Sequence, residues 1–229
     1  ALGGTTPGAV PNTYDQLGVA APLALSTQQL VLSTRDGFVP APGDEFDVLL
    51  APAGLTGQFA AVNGDILPNG VVLTVHVLPD RVRVKAVAAF VVNTGDDTLD
   101  AATDGLCVDL NGRCSLRAAI TEANASPNLN AIVVPAGLTA TMSISGAGED
   151  ANLTGDWDVT SPVQILARGA TFDAGQVDRA FHFQSNDASL VGGVVINGVS
   201  NAAHGGGILV SAGGFVLVDA ELTENVAGI

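Results

Sequence analysis

Short apolar runs separated by turn residues make up the chain between about residues 14 and 92. They are LVLS at 30–33, FDVLLA at 46–51, GQFAAV at 57–62, VVLTVHVL at 71–78 and RVRVKAVAAFVV at 81–92. In the last run, Arg81–Lys85 alternates basic residues with valine, which is the period of a strand with one solvated face. The pattern predicts an extended arm over 1–13, which has no periodicity, and a smaller β-rich domain over 14–88.

One helical pattern interrupts the strands. Apolar residues recur at i, i+3, i+4 and i+7 within 116–123, Ser115 is placed to cap the first turn, and Pro127 follows the end. We expect a short helix over 115–123 that covers one end or edge of a β structure. Three polar residues are expected on its exposed faces: Arg117, Thr121 and Glu122.

After the helix the sequence becomes repetitive. The segments PVQILARGATFDAG (162–175), ASLVGGVVINGVS (188–200) and GGFVLVDAELTEN (213–225) can be laid over one another, with Phe172, Ile196 and Leu222 at equivalent places. A repeat of this length is typical of a β-solenoid, in which each coil contributes several short strands. The abundance of Ala, Val and Gly suits an interior of stacked small side chains. A β-sandwich would not give so regular a repeat.

Composition narrows the classes of partner. The 229 residues carry a formal net charge of −15, so binding to nucleic acid or to an anionic membrane surface is not expected. Apolar residues make up 47% and charged residues 14%, which excludes a disordered acidic tail. No run approaches the roughly 18 apolar residues of a membrane helix, so membrane insertion is not expected either.

Two groups of residues are candidates for cross-linking and metal binding. Cys107 and Cys114 flank the turn dipeptide Asn111-Gly112, which favours a disulfide-closed loop and an oxidising exterior; two free buried thiols are the alternative. The acidic residues around this loop are candidate ligands for Ca²⁺, although a solvated acidic turn explains them as well. The five acidic residues are Asp96, Asp97, Asp100, Asp104 and Asp109. A second, weaker group comprises Glu149, Asp150, Asp156 and Asp158.

No arrangement of residues makes a convincing catalytic site. Four polar residues, Asp173, Asp178, Arg179 and His182, cluster in sequence, and His204-Gly205 is similar to a pair found in pectin-type hydrolases, but the remaining motifs of that family are missing or out of order. We expect Arg179 to pair with Asp178 or Asp173 at a corner between strands. The three histidines are too scattered in sequence to predict a metal triad. We therefore predict no catalytic residues.

The run CVDLNGRCSLRAAITEANASPNLNAIVVPAG resembles the CSLREAI-type motif of bacterial surface proteins. The likeness extends over about 90–229 and implies an all-β fold, a right-handed parallel β-helix (solenoid) over 89–229 with one short capping α-helix. The family has Glu where this chain has Ala118, so Ser115 must cap the helix without a reciprocal partner. Residues 14–88 resemble the stretch near the C-terminal end of such β-helices.

The resemblance implies a non-catalytic bacterial protein of the cell surface or extracellular space. In this chain, a stretch typical of the end of a β-helix (14–88) precedes one typical of the beginning of a β-helix (89–229). We therefore expect copies to stack head to tail in a filament. The predicted assembly surface comprises Phe215, Leu217, Leu222 and Ile229, on a last coil expected to be open. Alternatives are a segment cut from a longer exported passenger, a glycan-binding adhesin module, and a polysaccharide lyase or hydrolase.

Overall fold

The computed structural model describes residues 1–8, 12–68, 70–146, 148–200 and 204–228. The chain forms two compact units, Ala1–Ala88 and Ala89–Ile229. The fold is all-β with a single α-helix within the described residues, as expected from the sequence. None of the described residues belongs to a helix with the length and apolar character needed to cross a membrane.

The first unit combines parallel strand pairs with an antiparallel hairpin. Its strands are β1 (Thr6–Pro7), β2 (Thr13–Tyr14), β3 (Leu17–Gly18), β4 (Leu23–Ala24), β5 (Gln29–Val31), β6 (Glu45–Leu50), β7 (Leu55–Thr56), β8 (Ala61–Asn63), β9 (Val71–Val77) and β10 (Arg81–Val91), whose last three residues belong to the second unit. Strands β3, β4 and β5 pair in parallel with β6, β7 and β8, respectively. Strand β10 pairs antiparallel with both β9 and β6.

Alternation along β10 decides which of its faces is buried. Val82 and Val84 are fully buried, and the basic side chains between and beside them lie on the other face. There Arg83 donates from Nε to Oδ1 of Asp47 on β6 at 2.7 Å. The first residues of the chain, expected as an arm, pack onto this unit instead, because the apolar side chain of Leu2 is 1% exposed and lies in the core.

The second unit is built from parallel strands that recur along the chain. They are β11 (Asn130–Val133), β12 (Thr139–Thr141), β13 (Trp157–Val159), β14 (Val163–Leu166), β15 (Thr171–Asp173), β16 (Phe181–Phe183), β17 (Ala188–Val191), β18 (Val194–Ile196), β19 (Val199–Ser200), β20 (Ile208–Val210), β21 (Phe215–Val218), β22 (Glu221–Thr223) and β23 (Val226–Ala227). We call β11–β13 the first layer, β14–β16 the second, β17–β20 the third and β21–β23 the last layer.

Each layer pairs in parallel with the one before it. The strand orders are β11-β14-β17-β21, β12-β15-β18-β22, β13-β16-β20 and β19-β23. The predicted repeat register is wrong by one residue in the third layer: Phe172 pairs with Val195, and Val195 with Leu222. The reason is a shorter corner between β17 and β18, made by Gly192 and Gly193 at positive φ. Because side chains alternate, Val195 is buried and Ile196 is not.

Aromatic side chains form the centre of the second unit's core. Trp157 and Phe181 have ring centroids 5.2 Å apart, and Phe183 lies 4.3 Å from Phe215 of the last layer. Alanine and valine fill the space around them, as the composition predicts. Trp157 and Phe181 occupy paired positions on adjacent strands, so part of this aromatic core follows directly from the alignment of the layers.

The helix α1 (Leu116–Ala125) packs on β11 and β13 of the first layer. The Ser115 hydroxyl oxygen accepts the N–H of Ala118 at 3.0 Å and caps the first turn. The expected exposure of Arg117 and Glu122 is wrong, since they are 0% and 3% exposed. Both are buried because distant loops supply their polar partners, so the helix contacts the protein with more than its apolar stripe.

Candidate functional site

The loop between the two cysteines is closed covalently and organised by one carboxylate. Cys107 and Cys114 form a disulfide with Cα atoms 5.1 Å apart, which confirms the predicted bond. Within the loop, Asp109 accepts the backbone N–H groups of Asn111 at 2.8 Å and Arg113 at 2.9 Å. The N–H of Arg113 contributes most to lowering the pKa of Asp109 to about 2, although burial opposes the shift. Asp109 is thus an ionised, structural part of the loop.

Each carboxylate predicted to bind calcium has a protein partner, and Arg113 joins two of them, Asp96 and Asp109. Asp96 pairs with an arginine at the surface and Asp97 with another in the interior. Asp100 and Asp104 accept N–H groups of their own loop. No three of the five predicted carboxylates, all within the described residues, place ligand atoms within 4.8 Å of one another. The structure does not bring the group together, and calcium at this loop stays a prediction.

A buried ion pair joins the helix to two loops. Arg117 donates from Nε to Oδ1 of Asp97 at 2.6 Å and from Nη2 to Oδ2 at 3.0 Å, and both side chains are fully buried. Arg117 also donates to the carbonyl oxygen of Gly155 at 2.7 Å. Oδ2 of Asp97 accepts the N–H groups of Ser143 and Ile144. The pair therefore fixes how the helix sits against the segments around residues 97, 143 and 155.

Glu122 has a similar structural role on the same helix. Its carboxylate accepts the N–H groups of Asp104 at 3.0 Å and Gly105 at 2.8 Å. Burial raises the pKa of Glu122, and a hydrogen bond to Asp100 adds to the increase. The acidic loop ahead of the disulfide is therefore held down by the helix.

A second polar cluster lies on strands β13 and β16, on the face away from the aromatic core. Nδ1 of His182 is 3.3 Å from Oδ1 of Asp150 and 3.3 Å from Oδ1 of Asp158. Nε2 of Gln184 lies 3.1 Å from Oδ1 of Asp150 and 3.2 Å from Oδ1 of Asp158. It is also 3.2 Å from Nδ1 of His182. On its other side, Nε2 of His182 is 2.8 Å from Oγ of Ser211. We call Asp150, Asp158, His182 and Gln184 the Asp-His-Gln cluster.

Strand register creates this cluster. Asp158 on β13 pairs directly with His182 on β16, so their side chains leave the sheet side by side. Gln184, two residues after His182, shares its face. Asp150 comes from the loop before β13, where Asn152 accepts the N–H of Asp158 at 3.3 Å. The two acidic residues and the His182–Gln184 pair come from different layers and meet because the layers are aligned.

The electrostatics of the cluster are unbalanced. The Asp158 side chain is fully buried, and its Oδ2 atom has no hydrogen-bond partner. Within the described residues, the basic group within 4 Å of this carboxylate is His182. Burial raises the pKa of Asp158 to about 7, and the nearby carboxylates of Asp156, Glu149 and Asp150 add to the effect. A carboxyl group in this environment is stabilised by taking up a proton or by a cation bound beside it.

Part of this cluster could be found from the sequence. Asp150 and Asp158 belong to the second acidic group, but that group also contained Asp156, which pairs with Arg179 instead. The alternation in Phe181–Gln184 was a usable signal, because it places His182 and Gln184 on one polar face. What the sequence could not supply is the pairing of β13 with β16.

The residues weighed for sugar hydrolysis have other partners. The expected pairing of Arg179 with Asp178 or Asp173 is wrong, since its guanidinium binds Asp156. Asp178 accepts the backbone N–H of Arg179 at 2.8 Å, and Asp173 accepts that of Gly175 at 2.9 Å. Each of these carboxylates has a local structural partner.

Exposure changes abruptly at the last layer. Leu190 of the third layer is fully buried, whereas Leu217, its partner on β21, is 44% exposed. Val195 is also fully buried, and its partner Leu222 on β22 is 44% exposed. Within the described part of the chain, β21 and β22 each pair with one strand only. The last layer thus presents core-type side chains and free strand edges.

The remaining residues of the predicted assembly surface differ from one another. Phe215 is partly buried against Phe183, so it contributes mainly to the aromatic core. Ile229 lies outside the described residues.

Comparisons with protein-family models, with curated proteins and with solved structures found no match. The candidate functional features of the second unit are thus taken from its own geometry: the exposed last layer and the Asp-His-Gln cluster.

Proposed function

We propose that this chain is a non-catalytic extracellular structural protein whose parallel layers form a segment of a right-handed β-helix. In this proposal, the last layer of one copy stacks on the first unit of another copy, head to tail, in a surface filament. A head-to-tail contact extends indefinitely when the rotation between successive copies does not close into a ring.

The observation that carries the proposal is the exposure of Leu217 and Leu222. Their partners one layer earlier are fully buried, which means that a further β layer is what this surface is shaped to receive. Free strand edges accept additional strands through main-chain hydrogen bonds, and the apolar side chains add burial. Natural proteins otherwise cover such edges or break them with charge.

The first unit offers matching chemistry. Its strands β3 and β5 carry Leu17 and Val31, which are 58% and 68% exposed. Both strands belong to parallel pairs, the same pairing mode as in the second unit. The disulfide supports an oxidising, extracellular location.

Charge sets the conditions for assembly. With a formal net charge of −15, copies repel one another at low ionic strength. Salt screens this repulsion over a Debye length of about 8 Å at physiological ionic strength. Assembly is therefore expected to strengthen with salt or with divalent cations.

The proposal is tested by sedimentation and negative-stain microscopy of the purified chain over a range of protein and salt concentrations. Leu217→Asp places a charge on the exposed last layer and should abolish filaments. Leu110→Asp is the matched control, because Leu110 is 90% exposed on the disulfide loop, far in sequence from the last layer. Filaments should persist in this control.

Dispersed monomers of the unmodified chain at high protein and salt concentration would contradict the filament. Equal assembly of Leu217→Asp and the unmodified chain would contradict the assigned surface. A selective signal on a glycan array from a chain that stays monomeric would favour the adhesin alternative.

A further inference from the structure

We propose that Asp150, Asp158, His182 and Gln184 form a tetrahedral binding site for a divalent first-row transition metal, with Zn²⁺ as the best-fitting ion. The site is independent of the proposed filament contact, since it lies on β13, β16 and the loop before β13, away from the last layer. Its ligand set would be two carboxylate oxygens, one imidazole nitrogen and one carboxamide oxygen.

The spacing of the four donor atoms is the geometric basis. Five of the six separations among Oδ1 of Asp150, Oδ1 of Asp158, Nδ1 of His182 and the amide group of Gln184 lie between 3.1 and 3.3 Å. A regular tetrahedron with edges of this length has its centre about 2.0 Å from each corner, which is the distance that Zn²⁺ adopts to nitrogen and oxygen ligands. The three ionisable ligands also lie within 4.8 Å of one another.

Gln184 can supply the fourth ligand by rotating its amide. Its Nε2 atom now points at the two carboxylates and the imidazole. A rotation of 180° about the last side-chain torsion places the amide oxygen where the amide nitrogen was, because the two groups are similar in size. The amide therefore donates hydrogen bonds to the carboxylates without metal and offers its oxygen to a metal.

Two further observations point to a cation at this place. The fully buried Asp158 carboxylate has one oxygen, Oδ2, without a hydrogen-bond partner beside the proposed ligand atom Oδ1, and such a carboxylate stays ionised only when it is paired or bound to a metal. Nε2 of His182 contacts Oγ of Ser211 at 2.8 Å. In the tautomer that carries its proton on Nε2, His182 donates to this hydroxyl and leaves Nδ1 free to bind metal, which is the usual outer-shell arrangement of metal-binding histidines.

The same geometry discriminates against calcium. Ca²⁺ takes six to eight oxygen ligands at about 2.3–2.6 Å and rarely uses imidazole. Here the cluster offers four donors with a nitrogen among them, and the tetrahedron is too small. Imidazole and carboxylate together favour zinc and its neighbours in the first transition row.

Zn²⁺ titration of the full chain by calorimetry tests the site, with Ca²⁺ as the comparison ion. We expect one Zn²⁺ per chain and no comparable Ca²⁺ binding. Asp150→Asn and His182→Gln should each weaken Zn²⁺ binding by about tenfold or more. Asp150 is 69% exposed, so its replacement leaves folding intact. The matched controls Asp187→Asn and His204→Gln replace exposed residues outside the cluster and should leave the affinity unchanged.

Gln184→Glu gives a readout that a purely structural role would not produce. Without metal, a third carboxylate beside two others should lower the melting temperature. With Zn²⁺, the same variant should be stabilised more than the unmodified chain, because a carboxylate binds the ion more strongly than an amide does. Lack of Zn²⁺ binding, equal loss in the controls, or no extra stabilisation of Gln184→Glu by Zn²⁺ would each overturn the proposal.

NMR provides the site assignment. The chain has three histidines, and His182→Gln identifies the imidazole signals of His182. Addition of Zn²⁺ should shift those signals and leave those of His76 and His204 in place. Shifts at His204 alone would mean adventitious surface binding and would contradict the site.

Discussion

Replacing Asp97 by asparagine removes the carboxylate that forms a hydrogen-bonded ion pair with the buried guanidinium of Arg117. The two side chains are fully buried and joined by hydrogen bonds of 2.6 Å and 3.0 Å. Asparagine keeps the shape and one acceptor oxygen, so the change removes the charge together with the hydrogen bonds accepted by one carboxylate oxygen. The adjacent Asp96 is the matched control, because it is 61% exposed and pairs with a surface arginine.

The expected magnitude follows from burial. Two charges about 4 Å apart attract by about 4 kcal/mol at an effective dielectric constant of about 20. Breaking a buried ion pair by removing one partner costs about 3–5 kcal/mol, since the other charge is left uncompensated. Asp97→Asn should therefore lower the free energy of unfolding of the second unit by about 3–5 kcal/mol. Asp96→Asn should lower it by no more than about 1 kcal/mol.

Urea unfolding followed by tryptophan fluorescence measures the difference. The chain has a single tryptophan, Trp157, which is 1% exposed in the core of the second unit. Its emission reports that unit alone, so unfolding of the first unit does not enter the signal. The shift in the transition midpoint multiplied by the slope gives the change in free energy.

A double variant completes the test. Asp97→Asn with Arg117→Met removes both charges, and it should recover part of the loss because no uncompensated charge remains. Equal costs for Asp97→Asn and Asp96→Asn, or a cost below about 1 kcal/mol for Asp97→Asn, would refute the reasoning. Either result would mean that water or another group compensates Arg117.

Three other changes probe the loop and the layers. Replacing both Cys107 and Cys114 by serine should cost about 2–3 kcal/mol, as expected for a short closed loop, measured by the same unfolding curves. Gly214→Ala should destabilise the chain far more than Gly105→Ala, although both glycines have a φ of +90°. A Cβ atom at position 214 would lie 1.8 Å from a backbone oxygen, whereas a Cβ atom at position 105 would meet nothing within 4 Å. The lowered pKa of Asp109 means that its contribution to stability is present above pH 3.8 and is lost as the pH falls through about 2. Asp109→Asn should flatten the acid limb of a plot of stability against pH, and an unchanged acid limb would contradict the assignment.

Local patterns predicted the elements well where one face of an element decides its burial. The apolar runs at 46–51, 71–78 and 81–92 correspond to β6, β9 and β10. The helix follows from apolar spacing and a capping serine, because both signals are contained within about ten residues.

Predictions failed where the deciding partner is distant in the sequence. Arg117 and Glu122 look like solvated helix positions until segments 97–105 and 152–156 are folded against them. The register error at Ile196 arose because two glycines shorten one corner, which a repeat alignment does not detect. The Asp-His-Gln cluster needs the pairing of β13 with β16, and that pairing depends on the whole layer.

The parallel layers also determine the order in which the second unit can form. The third layer pairs with the second and the last with the third, so each layer requires only its predecessor as a template. The helix packs on the first layer, and Trp157 and Phe181 join the first two layers, so we expect the early layers to form first and later layers to be added one at a time in the direction of synthesis. Loss of residues from the last layer should therefore leave earlier layers folded, whereas damage to the first layer removes the template for all that follow.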